Sequence, residues 1–210
     1  MDSGLVSLAD ASELMGVSVE RVRQLVVAGD LPGVRFGNAW AVPRGSVMAR
    51  RQWSRRRGRP LGCVGAWRAI VGGGVDLGDV GRYRNRGSVR RLAMSHGDSE
   101  FLASQDAVVV SGVRAAIEHG ELLQPVDAVD LYVRAGDQDE LFARVAAVDD
   151  ELGDNVIRVV ANDAWPILDS ATVSRGKIRV APPGAVGLDL AVSGDPRHWV
   201  AAESLVGRRD

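Results

Sequence analysis

The chain changes character near its middle, and no single repeating architecture accommodates both halves. Residues 1–100 carry 16 Arg against 9 Asp and Glu, whereas residues 101–210 carry 10 Arg or Lys against 18 acids. The overall charge of −1 conceals this division into a +7 half and a −8 half. Such a division predicts a basic module that meets a polyanion, joined to an acidic module with another task. Hydropathy changes at the same place, from helical spacing to short β-rich runs alternating with helical stretches. All but one of the 26 basic residues are Arg, the exception being Lys177. Arginine forks suit phosphate and guanine; the codon bias of a GC-rich genome produces the same ratio.

With 210 residues, 46% hydrophobic and 25% charged, the composition is that of an ordinary globular protein with one good core or two small ones. No apolar run reaches the roughly 18 residues of a membrane span. The start, Met1-Asp2-Ser3-Gly4, has neither the basic nor the apolar region of a secretory leader. A cytoplasmic location without membrane contact is therefore expected. The lone Cys63 excludes an internal disulfide framework and a cysteine-based zinc cluster. His96, His119 and His198 have no metal-ligand spacing. Neither a metal nor a cofactor is expected.

Ser7 precedes the apolar series Leu8, Ala11, Leu14 and Met15, and Asp10 lies three residues on, the pattern of a capping box and one helical face. Gly16 breaks that helix. Ser18 caps a second one with the apolar face Val19, Val22, Leu25 and Val26; Gly29 and Pro32 end it. Glu20, Arg23, Gln24 and Val27 then point away from this face, with Arg21 on its flank. Arg matches guanine, Gln matches adenine and Glu accepts from a cytosine amino group; a solvated helix face has the same composition. Val34 to Phe36 and Ala39 to Pro43 read as two short strands around a Gly37-Asn38 turn. Arg35, Asn38 and Arg44 would be the phosphate or minor-groove contacts of this hairpin. Trp40 and Phe36 are expected in the core.

The stretch from Val6 to Gln52 resembles the excisionase/MerR-like winged helix-turn-helix family. The residues that carry the likeness are Ser7 to Gly16, Val17-Ser18, Gly29-Asp30-Leu31-Pro32, Arg35, Gly37, Trp40 and Val42-Pro43-Arg44. The resemblance implies a DNA-binding domain over residues 1–54 that contacts DNA through Ser18, Glu20, Arg21, Arg23, Gln24, Arg35, Asn38 and Arg44.

Residues 55–104 read as an Arg-rich linker and a helical basic segment. Arg50, Arg51, Arg55, Arg56, Arg57 and Arg59 fall within ten residues with no acid among them. Inside lies Arg57-Gly58-Arg59-Pro60, which looks like the core of an AT-hook; insertion into a narrow minor groove, plain phosphate attraction and an interdomain tether all fit this composition. Leu61 to Val71 has helical spacing, ended by Gly72-Gly73-Gly74. Leu77 to Met94 reads as a second helix or pair of turns carrying Arg82, Arg84, Arg86, Arg90 and Arg91, which would extend a DNA footprint or cover an acidic surface. Cys63 reads as a small core residue.

From about Phe101, Val108 to Val110, Val129 to Val133, Val156 to Val160 and Ile178 to Val180 read as strands. Val113 to Gly120 and Gln138 to Val148 have helical spacing. Pro182-Pro183 starts another helix, Gly194 closes it, Asp195 caps the next and Pro196 takes its first position. This order predicts an α/β domain over residues 105–210 and an α+β chain overall. The acids Asp149, Asp150, Glu151 and Asp154 sit in a polar, Gly-containing turn, where solvation is the expected fate; Asp127 and Asp130 form a second pair. No phosphate loop, nucleophile elbow or catalytic dyad is visible, so the chain is not expected to be an enzyme.

The segments Val129 to Val133, Asn155 to Val160, Trp165-Pro166, Val180 to Leu190 and Ser193 to Arg197 resemble the carboxyl-terminal domain of AbiEi-type antitoxins of type IV toxin–antitoxin pairs. The resemblance implies a repressor of its own operon, encoded beside a nucleotidyltransferase toxin that it opposes with or without direct contact. Asp189 and Arg197 fall in the shared stretch and would serve a partner surface, or else form a structural pair or cap. The expected function is thus a sequence-specific DNA-binding antitoxin and autorepressor, with two or more copies on repeated operator half-sites. An excisionase-like or phage-type DNA-binding regulator without a toxin partner, a pure protein inhibitor of a basic enzyme and a metal-dependent nuclease are the rivals.

Overall fold

Ser7 opens the first helix through a reciprocal cap: its Oγ accepts from the Asp10 amide at 3.1 Å, and the Asp10 carboxylate accepts from the Ser7 amide at 3.3 Å. The computed structural model describes residues 5–28, 31–37, 39–53, 59–150, 153–193 and 195–207. The amino-terminal unit runs β1 (Leu5–Ser7), α1 (Leu8–Met15), α2 (Val19–Val27), β2 (Val34–Phe36), β3 (Ala39–Pro43) and α3 (Arg44–Trp53). Gly16, at φ 66°, ends α1, and Ser18 caps α2 by accepting from the Arg21 amide at 3.2 Å. The expected hairpin pairs Phe36 with Ala39 and Val34 with Ala41. On the other edge of β3, β1 pairs antiparallel, Leu5 facing Pro43, which completes a three-stranded sheet.

Ala11, Val22, Leu25, Val26, Leu31, Val42 and Val47 form the core of this unit, with Leu8, Leu14, Met15 and Trp40 packed around it. Val19, expected on the apolar face, is instead 46% exposed. Gly33 lets the hairpin pass beneath α2: a Cβ there would lie 2.5 Å from Val26 Cγ1. The residues Gly29, Asp30 and Asn38, invoked at the turns, lie outside the described residues.

The remainder forms one larger unit. It comprises α4 (Cys63–Val71), a run of 3-10 turns (Leu77–Arg86), β4 (Ser88–Ala93), α5 (His96–Ala103), β5 (Val108–Ser111), α6 (Gly112–Glu118), β6 (Asp130–Arg134), α7 (Gln138–Phe142), β7 (Val148–Asp149), β8 (Asn155–Val160), α8 (Trp165–Ser170), β9 (Val173–Arg175), β10 (Ile178–Val180), α9 (Pro183–Ala191) and α10 (Pro196–Gly207). Its seven-stranded sheet has the order β7-β4-β8-β6-β5-β10-β9. β6 and β8 pair in parallel, as do β5 and β10; the other neighbours are antiparallel. The chain is therefore a mixed α+β protein, and among the described residues no helix is long and apolar enough to cross a membrane.

Two expectations are corrected here. Of the two readings of Leu77 to Met94, the turns hold for Leu77–Arg86, which forms 3-10 turns, and the helix fails, because β4 follows and its Ser88 to Leu92 pair with β8. Sheet pairing overrides a local pattern in which the adjacent Arg90 and Arg91 look equally at home on a helix. The helix expected over residues 138–148 stops at Phe142, and Val148 belongs to the edge strand β7.

The boundary expected at residue 105 consequently cuts through one core. Trp67, Tyr83 and Leu92 belong to the same buried cluster as Val109, Tyr132, Ile157, Leu188 and Leu205. Three hydrogen bonds fasten the basic middle segment into place. Trp67 Nε1 donates to the Arg86 carbonyl at 2.7 Å, Tyr83 Oη donates to the Gly74 carbonyl at 2.7 Å, and the Asp76 amide donates to Tyr83 Oη at 3.1 Å. Buried aromatics with a polar end need such partners. Cys63 packs partly into this core with its thiol pushed up by burial, a structural setting for sulfur.

Candidate functional site

Helix α2 and the β2–β3 hairpin hold the expected nucleic-acid contacts on one small scaffold. Ser18 spends its hydroxyl as the α2 cap. Arg23 grips Glu20 with a two-point fork, Nε to Oε2 and Nη2 to Oε1, both at 2.9 Å. The Arg23 hydrogen bond holds the Glu20 carboxyl below its ordinary range. Arg21 Nη1 donates to Gln24 Oε1 at 3.3 Å. These four side chains thus form two exposed pairs, each linking residues three apart, and water-exposed pairs of this kind exchange readily for other partners.

Val27 departs from that set. It is 62% exposed but lines a cleft of about 460 Å³ where Ala28, Leu31 and Trp40 face Val89, Arg90, Arg91 and Asp149 of the sheet edge. Arg35 donates Nε to the Gly37 carbonyl at 3.0 Å, its guanidinium 6.0 Å from the Trp40 ring centre. Arg44 is the exposed first residue of α3. Arg59 is exposed beside Pro60, where Leu61 N donates to the Arg82 carbonyl, so it stands with the larger unit rather than with α2. Asn38, Arg55, Arg56 and Arg57 lie outside the described residues.

Asp189 is not on a surface. Its side chain is 1% exposed, and α9 lowers it onto the sheet face that carries Ser111, Tyr132 and Arg158. Oδ1 accepts from Arg86 Nη2 at 2.5 Å and from Arg158 Nε at 2.8 Å; Oδ2 accepts from Ser111 Oγ at 2.5 Å and from Tyr132 Oη at 2.7 Å. Arg86 uses all three of its nitrogens, donating Nε to Tyr132 Oη and Nη1 to the Tyr83 carbonyl as well. The pairing expected between Asp189 and Arg197 does not occur. Arg197 is 72% exposed and bridges Asp195 at the start of α10.

Electrostatics follow from this geometry. Burial alone would raise the Asp189 carboxyl, but Arg158, Arg86 and the Ser111 hydrogen bond outweigh it and hold the group down at about 2. Asp130, at the start of β6, meets the opposite balance: burial and the neighbouring Asp189 charge push it up to about 6 against the pull of Arg158, Arg91 and Arg86. Its carboxylate lies against Gly112, whose φ is +61°; a Cβ there would come within 2.1 Å of Asp130 Oδ2. Burial and the same Asp189 charge push the Tyr132 phenol upward, so it remains a donor.

Asp149 does more than meet solvent. It clamps Arg90, which also lies over the Phe142 ring at 4.9 Å on the opposite sheet face. Among the described residues no three His, Cys, Asp or Glu side chains gather as a metal site. His119 Nε2 meets the Ala181 carbonyl at 2.8 Å and His198 Nδ1 meets Ser193 Oγ at 2.7 Å.

Sequence reasoning passed over Arg158, Tyr132 and Ser111, and it counted Arg86 among surface cations, whereas Arg86 is buried. Two signals were available: an Arg in the middle of Val156-Ile157-Arg158-Val159-Val160, and an Asp inside the apolar α9. No protein-family model matches the chain, and no curated protein or solved structure matches it significantly.

Replacing Asp189 with Asn leaves two buried guanidinium groups without their counter-charge. A loss of about 3–5 kcal/mol in denaturant unfolding is expected. For Asp130, a folded value of about 6 lies above the unfolded value of about 3.9. The fold therefore favours the protonated acid, and its contribution is lost as pH rises between those values. Asp130→Asn should raise the urea midpoint above pH 6, with the gain vanishing below about pH 4.

Proposed function

We propose that the chain is a sequence-specific DNA-binding antitoxin that represses its own operon. The reading rests on the amino-terminal unit. Two short helices meet at the Gly16 turn, the second is capped by Ser18, and a hairpin carrying Arg35 follows, all on one core. This is the order of elements in a winged helix-turn-helix. Helix α2 would enter the major groove, where Glu20, Arg21, Arg23 and Gln24 exchange their mutual contacts for base edges, and Arg35 and Arg44 would position the module on phosphates.

Charge supports the same orientation. Residues 1–60 carry 10 Arg against 5 acids, and residues 61–210 carry 16 Arg or Lys against 22 acids. The larger unit therefore turns away from the duplex. A module this small reads few base pairs, so the operator consists of repeats bound by two or more copies. The likeness of residues 129–197 to AbiEi-type antitoxins supports the second half of the proposal, opposition to a nucleotidyltransferase toxin encoded beside it. Asp189 acts there as a structural centre and not as part of a partner surface.

Titration on duplex DNA from upstream of its own gene, against random duplex, tests the repressor half. A specificity ratio of ~10³ or more is expected, with successive shifted bands as protein increases. Arg23→Ala should weaken operator binding by ~10- to 100-fold and leave random DNA nearly unaffected. Equal affinity for both duplexes would overturn the reading. Co-expression with the neighbouring nucleotidyltransferase tests the antitoxin half: the chain should restore growth, and the Arg23→Ala variant should still do so. Failure of the intact chain to protect would remove the antitoxin role while leaving repression standing.

A further inference from the structure

The Asp189 network leaves one cation incompletely used. Arg158 is nine-tenths buried, with 10% side-chain exposure, and it gives only Nε to Asp189. Its two Nη groups meet no hydrogen-bond acceptor among the described residues, yet they are not sealed from solvent. Arg158 lines a cleft of about 450 Å³, where Arg50 of α3 and Arg84, Asn85 and Arg86 of the 3-10 segment form other parts of the wall. No carboxylate stands among the described lining residues. Behind the wall, the Asp189 oxygens already accept four hydrogen bonds, and Asp130 is a second carboxylate within electrostatic reach of Arg158 and Arg86.

We propose that this cleft binds a small phosphate-bearing anion, a pyrophosphate or nucleoside polyphosphate, gripped by the free fork of Arg158. A guanidinium with two parallel N–H groups matches two oxygens of one phosphate, and in a low-dielectric wall each such bond is strengthened. Arg84 and Arg50 add positive charge, and Asn85 and Ser88 add neutral polar groups. The volume is that of a small-molecule site. A duplex keeps its phosphates on the outside of a stiff rod and does not bring one to a guanidinium nine-tenths buried. The site is independent of the DNA-binding reading, because neither α2 nor the hairpin supplies its ligand groups.

The test is calorimetry and thermal melting of the full chain with inorganic pyrophosphate and, separately, ATP. Saturable one-to-one binding is expected, with a melting temperature that rises with ligand concentration. Arg158→Lys keeps a charge beside Asp189 but removes the fork, and should weaken binding by ~10-fold or more. Arg84→Ala, at an exposed position, should weaken binding several-fold, and far-UV circular dichroism and the ligand-free melt of each variant separate lost binding from lost folding. ATP binding more tightly than pyrophosphate would assign the ligand to the nucleoside polyphosphates, and equal affinity to the pyrophosphate group itself. The proposal is overturned if neither ligand binds at ~10 mM, if both variants bind as the parent does, or if duplex DNA displaces pyrophosphate.

Discussion

One carboxylate organises the larger unit. Asp189 lies where α9 crosses the sheet, and it accepts from two arginines, a serine and a tyrosine contributed by the 3-10 segment, β5, β6 and β8. Removing an ion from water costs several kcal/mol, which a single partner seldom offsets. Here every lone-pair direction of the carboxylate is occupied, so the penalty is met by geometry. The same contact closes the path of the basic middle segment, because Arg86 is tied at its carbonyl by Trp67 and at its guanidinium by Asp189. Residues 61–87 are consequently part of the sheet's core and not a tether.

The legible parts of the fold are those written locally. Ser7 with Asp10, Gly16, Ser18, the hairpin glycine Gly37 and the Pro196 helix start each combine a signal and its consequence within a few residues. The strands at Val108, Asp130, Asn155 and Ile178 were readable because β-branched runs have few other uses. What escaped was non-local. β1 exists because β3 offers it an edge, and β4 exists because β8 does; neither has a pattern that demands a strand. Helix α3 follows Pro43 with three basic residues and no capping box, and nothing local announced it.

The candidate sites divide along the same line. The exposed face of α2 followed from its periodicity, since a helix with one buried stripe must show the other. The Asp189 network required five elements to converge, and no spacing in the sequence encodes that. Its trace was indirect: a charge placed where every neighbour is apolar. Arg158 in β8 and Asp189 in α9 each broke a hydrophobic run, and two such breaks of opposite sign mark a buried pair. The sequence left Asp189 open between a partner surface and a structural pair or cap; the burial of Ala185 to Ala191 makes it structural, with partners other than Arg197.

The closed accounting around Asp189 also governs how such a chain diverges. Arg86, Arg158, Ser111 and Tyr132 each spend a donor on this carboxylate, so loss of any one member strands a charge or a polar group in the interior. Substitutions here are not independent steps on an evolutionary path. A lineage that abandons the acid must abandon a guanidinium with it, passing through an intermediate less stable than either end. These five positions should therefore persist or change as a block.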